Sequence, residues 1–277
     1  MHQHAHHHPH HGHGHGHDDA GLAETLDLDA EALGPVLDEV TRWASRFAPD
    51  EVRTVADIGA GTGTGTLALA RRFAAADVVA IDRSETMLDR VRDAAVGRGL
   101  ADRLRLVRAD LDTGWPAVGA VDVAWASSSL HEVADPDRLL REVRDTLTPG
   151  GLLVVVEMDG LPRFLPDSLG NGLEARCHAV LSESGWNAHP DWRPHLERAG
   201  LEVADQRTFA VDRPAPTNGR YARVFLARVR DFLADKLDAG DLATLDHLLS
   251  ESNADSPLHS EGLRIRGSRT VWAARRG

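Results

Sequence analysis

The chain reads as an α/β protein: a doubly wound, mostly parallel seven-stranded sheet, with helices on both faces and a helical lid insertion. Three observations predict this. Between about residues 53 and 158, short apolar stretches alternate with amphipathic helical ones, the pattern of a parallel sheet covered on both faces. A glycine-rich turn, "DIGAGTGTG" (57–65), joins the first such strand to the helix after it. Two further amphipathic stretches, 219–237 and 241–250, stand between the last two strands and can lie over the sheet's C-terminal edge, where open α/β sheets bind ligands.

The elements follow in order. Leu33, Val36, Leu37, Val40, Trp43 and Phe47 recur at three- and four-residue steps, which predicts a first helix with Pro35 in its first turn. "RTVADIG" (53–59) is the first strand, with a helix over about 65–75. "DVVAID" (77–82) is the second, and Ser84 can cap the helix "SETMLDRVRDAAV". "LRLVRAD" (104–110) and "VDVAWAS" (121–127) are the third and fourth strands. "DPDRLLREVRDTL" (135–147) puts its leucines and Val143 on one helical face, "TPGG" (148–151) stops it, and "LLVVVEM" follows as the fifth strand. "DWRPHLERAG" (191–200) predicts a short helix, 201–211 the sixth strand and 263–276 the last. No internal repeat is present.

Composition narrows the function classes. A formal net charge of −12 over 277 residues argues against nucleic acid as the main partner. Cys177 is the only cysteine, so no intramolecular disulfide and no cysteine metal cluster can form, and a reducing, cytoplasmic setting is expected. No apolar run approaches the ~18 residues of a membrane helix, and the N-terminus lacks a cationic start with an apolar core, so neither a membrane partner nor a secretory signal is expected. Residues 1–17 carry ten histidines among Gly and Pro; they cannot bury a core and can bind metal weakly. The organisation expected is a disordered His-rich tail (1–20) and one domain (21–277). Within that domain the core is about 50–160, the substrate and lid region about 160–262, and the C-terminal strand about 263–276.

Three cofactor classes use a glycine loop between strand and helix. A phosphate-binding P-loop needs Gly-Lys-Ser/Thr, and Lys236, the only lysine, lies far away. The dinucleotide pattern Gly-x-Gly-x-x-Gly meets Thr64, Thr66 or Ala68 where its third glycine belongs. What stands here is Asp-x-Gly-x-Gly-x-Gly: Asp57, Gly59, Gly61 and Gly63. Glycines let the backbone pass close under a ligand, and an acid at the strand end suits a ligand with an ammonium group. Asp82 closes the second strand, where an acidic side chain accepts ribose hydroxyls.

On these residues the chain resembles the class I S-adenosylmethionine-dependent methyltransferases, in their broad small-molecule group, over about residues 33–160. The segment "SSSLHEVADPDRLLREVRDTLTPGGLLVVVE" (127–157) carries the resemblance furthest outside the loop. It implies a Rossmann-like fold and S-adenosyl-L-methionine as cofactor. It also implies contacts from Asp57, Gly59, Ala60, Gly61 and Gly63 in the loop and from Asp82 and Arg83 beside the ribose. Met87, Ala109, Asp110 and Leu111 fall around the adenine, and Ser127 at the end of the fourth strand. The implied reaction is methyl transfer to a small-molecule acceptor. A nicotinamide-dependent oxidoreductase and a non-catalytic cofactor- or metal-binding protein are the alternatives.

For an acceptor that must lose a proton, His131, just past the fourth strand, is the candidate base; its other reading is a residue that holds the loop. His178, His189 and His195 fall in the expected pocket wall but read as surface or capping residues. Tyr221 with Arg220, and Trp186 and Trp192, can line a pocket or pack a helix. Asp110, Asp112 and Glu132 are too scattered for a metal site, and none is expected. The oligomeric state is not legible.

Overall fold

The computed structural model describes residues 15–184, 191–215, 219–250, 252–253, 255–260 and 262–277, with side chains from residue 21 onward. Trp186, His189 and residues 1–14 of the histidine tract lie outside these. Seven strands form one sheet: β1 (Thr54–Ile58), β2 (Asp77–Asp82), β3 (Leu104–Arg108), β4 (Val121–Ser127), β5 (Leu147–Met158), β6 (Leu201–Pro214) and β7 (Arg264–Arg276). Their order is β3-β2-β1-β4-β5-β7-β6, parallel throughout except that β7 runs antiparallel to β5 and β6. The order reverses between β1 and β4, which opens a crevice at their C-terminal ends.

The helices are α1 (His15–Ala44), α2 (Thr64–Arg72), α3 (Glu85–Val96), α4 (Pro136–Thr146), α5 (Leu173–Glu183), α6 (Arg193–Arg198), α7 (Arg220–Phe232) and α8 (Ala239–Leu249). Side chains alternate across the sheet, as period-two strands require. Val55, Val123, Trp125 and Val154 pack under α1, α2, α5 and α7. Ala56, Ala124, Ala126 and Val155 pack under α4 and α6. Ser84 caps α3 by accepting the Met87 N–H, and Asp135 caps α4 by accepting the Arg138 N–H, as the sequence predicts for the first.

Two expectations give way. The first helix does not start near Pro35; it reaches back to His15, inside the stretch expected to be unstructured, and Pro35 sits in its interior. An internal proline costs a helix about 3 kcal/mol. Burial on both sides of it offsets that: Ala23, Leu28 and Ala32 before, and Val40 and Trp43 after, are all enclosed. Second, the fifth strand starts earlier than expected: α4 ends at Thr146 just before "TPGG", as predicted, but β5 begins at Leu147, which pairs with Val121, and the ladder resumes at Leu152 opposite Val123. Among the described residues no helix is long and apolar enough to cross a membrane.

Candidate active site

The C-terminal ends of β1 and β2 are tied together by the turn that leaves β1. The N–H groups of Gly59 and Ala60 both donate to the Ile81 carbonyl, at 2.9 and 3.0 Å. Gly59 has φ +70°, and a Cβ there would fall 2.5 Å from the Cβ of Ser129, whose hydroxyl donates to the Ile58 carbonyl at 2.7 Å. No side chain fits between these two backbones. Asp82, at the end of β2, accepts the Gly61 N–H on one carboxylate oxygen and the Ser84 N–H on the other, each at 2.9 Å. The Ala109 N–H donates to the Asp82 carbonyl at 3.0 Å and brings the turn after β3 alongside.

Above this floor lies a cavity of about 580 Å³, within the range of small-molecule sites. Asp57, Gly59, Ala60, Gly61, Asp82, Arg83, Met87, Ala109, Asp110, Leu111, Ser127 and His131 all border it. Gly63, placed in the same set by resemblance, does not. It caps α2 with φ +91°, and a Cβ there would meet Val91 of α3 at 3.0 Å, so its role is to let the two helices approach.

Asp57 is 2% exposed, and its one hydrogen-bonding side chain is Thr66, whose hydroxyl donates to it at 2.6 Å. Burial pushes its carboxyl up to about 7; the Thr66 hydroxyl opposes this and the nearby Asp82 adds to it. A buried acid poised at neutrality against the cavity suits a cationic ligand group. Asp110 is engaged locally, accepting the Asp112 N–H at 3.0 Å, while Asp112 accepts the Ala134 N–H at 2.8 Å. With Glu132 turned to His131, these three acids do not converge.

His131 is held from both ring nitrogens: Nδ1 lies 2.9 Å from Glu157 and Nε2 lies 3.4 Å from Glu132. Burial by itself would lower its pKa, but hydrogen bonds and charge from Glu132 and Glu157 prevail and raise it to about 9. The ring is therefore an imidazolium at neutral pH.

The sequence placed the lid helix α7 but missed the N-terminal half of α1 and the tie that holds the two together. Leu22, Leu26 and Leu33 of α1 border the cavity, at a spacing that carried the signal, and so do Arg228 of α7 and Arg269 of β7. Asp29 of α1 is the tie point. It accepts the Tyr221 hydroxyl at 2.6 Å and Arg269 Nη2 at 3.0 and 3.1 Å. Tyr221 is thus both packed, at 2% exposure, and at the cavity wall. Arg220 pairs instead with Glu24, and Asp27 with Arg90 of α3. From below, the loop after β5 is pinned by Glu174, which accepts the Phe164 and Leu165 N–H groups, and Phe164 stacks edge-on against Tyr221. His178, His195 and Trp192 stay off the cavity. His195 pairs with Asp137, Trp192 is buried in the core of the sheet's other face, and burial lowers His178 to about 4.

The site tests well against an adenosine cofactor with an ammonium group. The backbone floor admits no Cβ at Gly59, the Asp82 carboxylate borders the cavity, and the buried Asp57 acid has no ion-pair partner among the described residues.

Residues 55–151 match the family model described as "Methyltransferase domain". Among curated proteins, the chain is 32% identical over 153 residues to trans-aconitate 2-methyltransferase of Variovorax paradoxus (strain S110), covering 54% of each chain. To the same-named protein of Escherichia coli (strain K12 / DH10B) it is 32% identical over 176 residues, covering 59% of this chain and 62% of that one. The chain thus spans about half to three-fifths of the length of these relatives. Among solved structures, it superposes on the YcgJ protein of Bacillus subtilis with a TM-score of 0.52 at 15% identity, covering 88% of this chain and 97% of that one. It superposes on the cyclase SpnF with a TM-score of 0.50 at 24% identity, covering 86% and 80%. These two show the fold alone, and one fold hosts more than one chemistry. Residues 55–151, about a third of the chain, thus match the methyltransferase-domain family, and they hold β1 to β4 of the sheet together with the acids and glycines that border the cavity.

Proposed function

We propose that the protein transfers the methyl group of S-adenosyl-L-methionine to a small-molecule acceptor by in-line displacement. The observation that carries this is the pair of acids at neighbouring strand ends within the matched residues, Asp57 buried and poised near 7 and Asp82 fixed by two N–H groups, both facing one cavity. Asp82 would take the ribose hydroxyls, Asp57 the ammonium group, Asp110 the adenine amine, and Met87 and Leu111 the faces of the base.

The cofactor supplies an electrophilic methyl on a sulfonium that leaves as a neutral thioether. The chain therefore has no leaving-group charge to stabilise; its work is alignment and exclusion of water. The α1 roof, tied to Tyr221 and Arg269 through Asp29, does the excluding. His131 keeps its proton and acts by positioning: it links the turn after β4 to Glu157 of β5. The family match ends at residue 151, so the acceptor wall formed by α7 and β7 lies beyond it, and trans-aconitate, named for the relatives, enters the acceptor panel as the comparison compound. A nicotinamide oxidoreductase draws no support from the family match.

The single, buried cysteine supports a cytoplasmic setting. The histidine tract is proposed as a weak metal ligand separate from the site. Calorimetry with S-adenosylhomocysteine and NADH, followed by mass spectrometry of acceptor panels for a 14 Da gain, tests the reading. Binding of NADH but not S-adenosylhomocysteine would sink it; cofactor binding without turnover on any acceptor would favour the binding-protein alternative.

A further inference from the structure

Arg228 is a charge that the cofactor reading leaves unused. Besides Arg228, the cationic side chains that border the cavity are Arg269, His131 and Arg83. Arg269 is matched by Asp29, at 3.0 and 3.1 Å, and His131 by Glu157 and Glu132. Arg228 has no such partner: its Nη1 donates to the Thr25 hydroxyl at 3.1 Å, and it forms no ion pair with a described residue. Arg83 also borders the cavity, but it is exposed, on the ribose side, with Glu132 near enough to feel its charge. Apart from Thr25, to which it donates, and Asp29, which is taken up by Tyr221 and Arg269, Arg228 shares the cavity lining with apolar side chains of α1, α7 and the loop after β5: Leu22, Leu26, Leu33, Phe225 and Leu161. Drawing a guanidinium half out of water beside such a wall, without a counter-ion, costs stability unless a ligand supplies the missing charge.

Resting on the methyltransferase reading above, we propose that Arg228 anchors one carboxylate of the acceptor, and that the rest of the acceptor is apolar. The planar fork of a guanidinium matches a carboxylate's two oxygens. One unmatched cation fits one acid group. A tricarboxylate would bring two more charges against leucines, with Arg269 and His131 already neutralised by their own partners. The acceptor class is thus a hydrophobic monocarboxylic acid, held under the α1 roof.

The test uses the full chain saturated with S-adenosylhomocysteine. Calorimetry compares octanoate and 4-phenylbutyrate with 1-octanol and propane-1,2,3-tricarboxylate, on the wild type, Arg228→Gln and Arg228→Lys. At least one of the two acids is expected to bind ten times or more tighter than octanol and tighter than the tricarboxylate. Arg228→Gln should remove that preference at unchanged S-adenosylhomocysteine affinity and melting temperature, and Arg228→Lys should keep part of it. The proposal is overturned if neither acid binds, if octanol or the tricarboxylate binds as tightly, or if Arg228→Gln leaves the preference intact. Failure to bind S-adenosylhomocysteine itself would count against the cofactor reading instead. If Arg228→Gln lowers the melting temperature, the Lys variant, which keeps the charge, decides the matter by retaining or losing the preference.

Discussion

His131 Nδ1 and Glu157 Oε2 sit 2.9 Å apart at the C-terminal end of the sheet, both side chains almost wholly enclosed. The ring's pKa of about 9 is the net of burial, which lowers it, and two carboxylates, which raise it further. A histidine whose folded pKa exceeds its unfolded value of about 6.5 lends stability that is complete below 6.5 and lost as pH rises through 9. His131→Gln should therefore cost about 3 kcal/mol at pH 6, progressively less between about pH 6.5 and 9, and little above that, read by urea unfolding at each pH. An imidazole that titrates near 6.5 in the wild type by NMR would remove the basis for its positioning role.

Asp57 behaves in the opposite sense to a salt-bridged acid. Its folded pKa is raised to about 7, so the unliganded protein loses stability as pH climbs from about 4 to 7, by up to about 4 kcal/mol from this group. Asp57→Asn should flatten that slope and be relatively more stable at pH 8 than at pH 5. In the wild type, S-adenosylhomocysteine should bind with proton release near pH 6.5, visible as a dependence of calorimetric enthalpy on buffer. A binding enthalpy independent of buffer would mean that Asp57 does not ionise on binding.

The two loop glycines should separate by function. Gly59→Ala forces a Cβ to within 2.5 Å of Ser129 at φ +70°, and Gly63→Ala presses on Val91 at 3.0 Å. Each should cost roughly 1–3 kcal/mol. At a temperature where both variants are folded, only Gly59→Ala should weaken S-adenosylhomocysteine, because Gly63 does not border the cavity. Adding Ser129→Gly should restore part of the stability lost in Gly59→Ala and none of that lost in Gly63→Ala.

Asp29 holds the roof down. Removing its carboxylate in Asp29→Ala leaves Tyr221 without an acceptor and Arg269, whose side chain is 11% exposed, without a counter-charge. A loss of about 2–4 kcal/mol is expected, with faster hydrogen exchange along α1. Exchange unchanged in α1 would show that the roof is held by its leucines rather than by this tie.

The cofactor half of the site was legible because it is local chemistry: Asp57, the glycines and Asp82 declare themselves by type and by their place at strand ends. The strands were legible by their apolar runs, which the parallel sheet requires on both faces. The tie that holds the roof was not. Asp29, Tyr221 and Arg269 come from three distant parts of the chain, and only the packed fold brings them within 3.1 Å. Pro35 drew the reading of α1 to its C-terminal half, although Leu22, Leu26 and Leu33 already kept helical spacing before it. His131 stood out by family position, but its proton is held by the adjacent Glu132 together with Glu157, 26 residues away on the next strand.

The central claim is that the cavity above Asp57 and Asp82 holds S-adenosyl-L-methionine. Isothermal titration of S-adenosylhomocysteine into the wild type and Asp82→Ala tests it most directly, with melting temperatures taken alongside. The account predicts one site per chain in the wild type and at least a hundredfold weaker binding in a variant that still unfolds cooperatively. Equal affinity in the two proteins, or wild-type binding of NADH in place of S-adenosylhomocysteine, would contradict it.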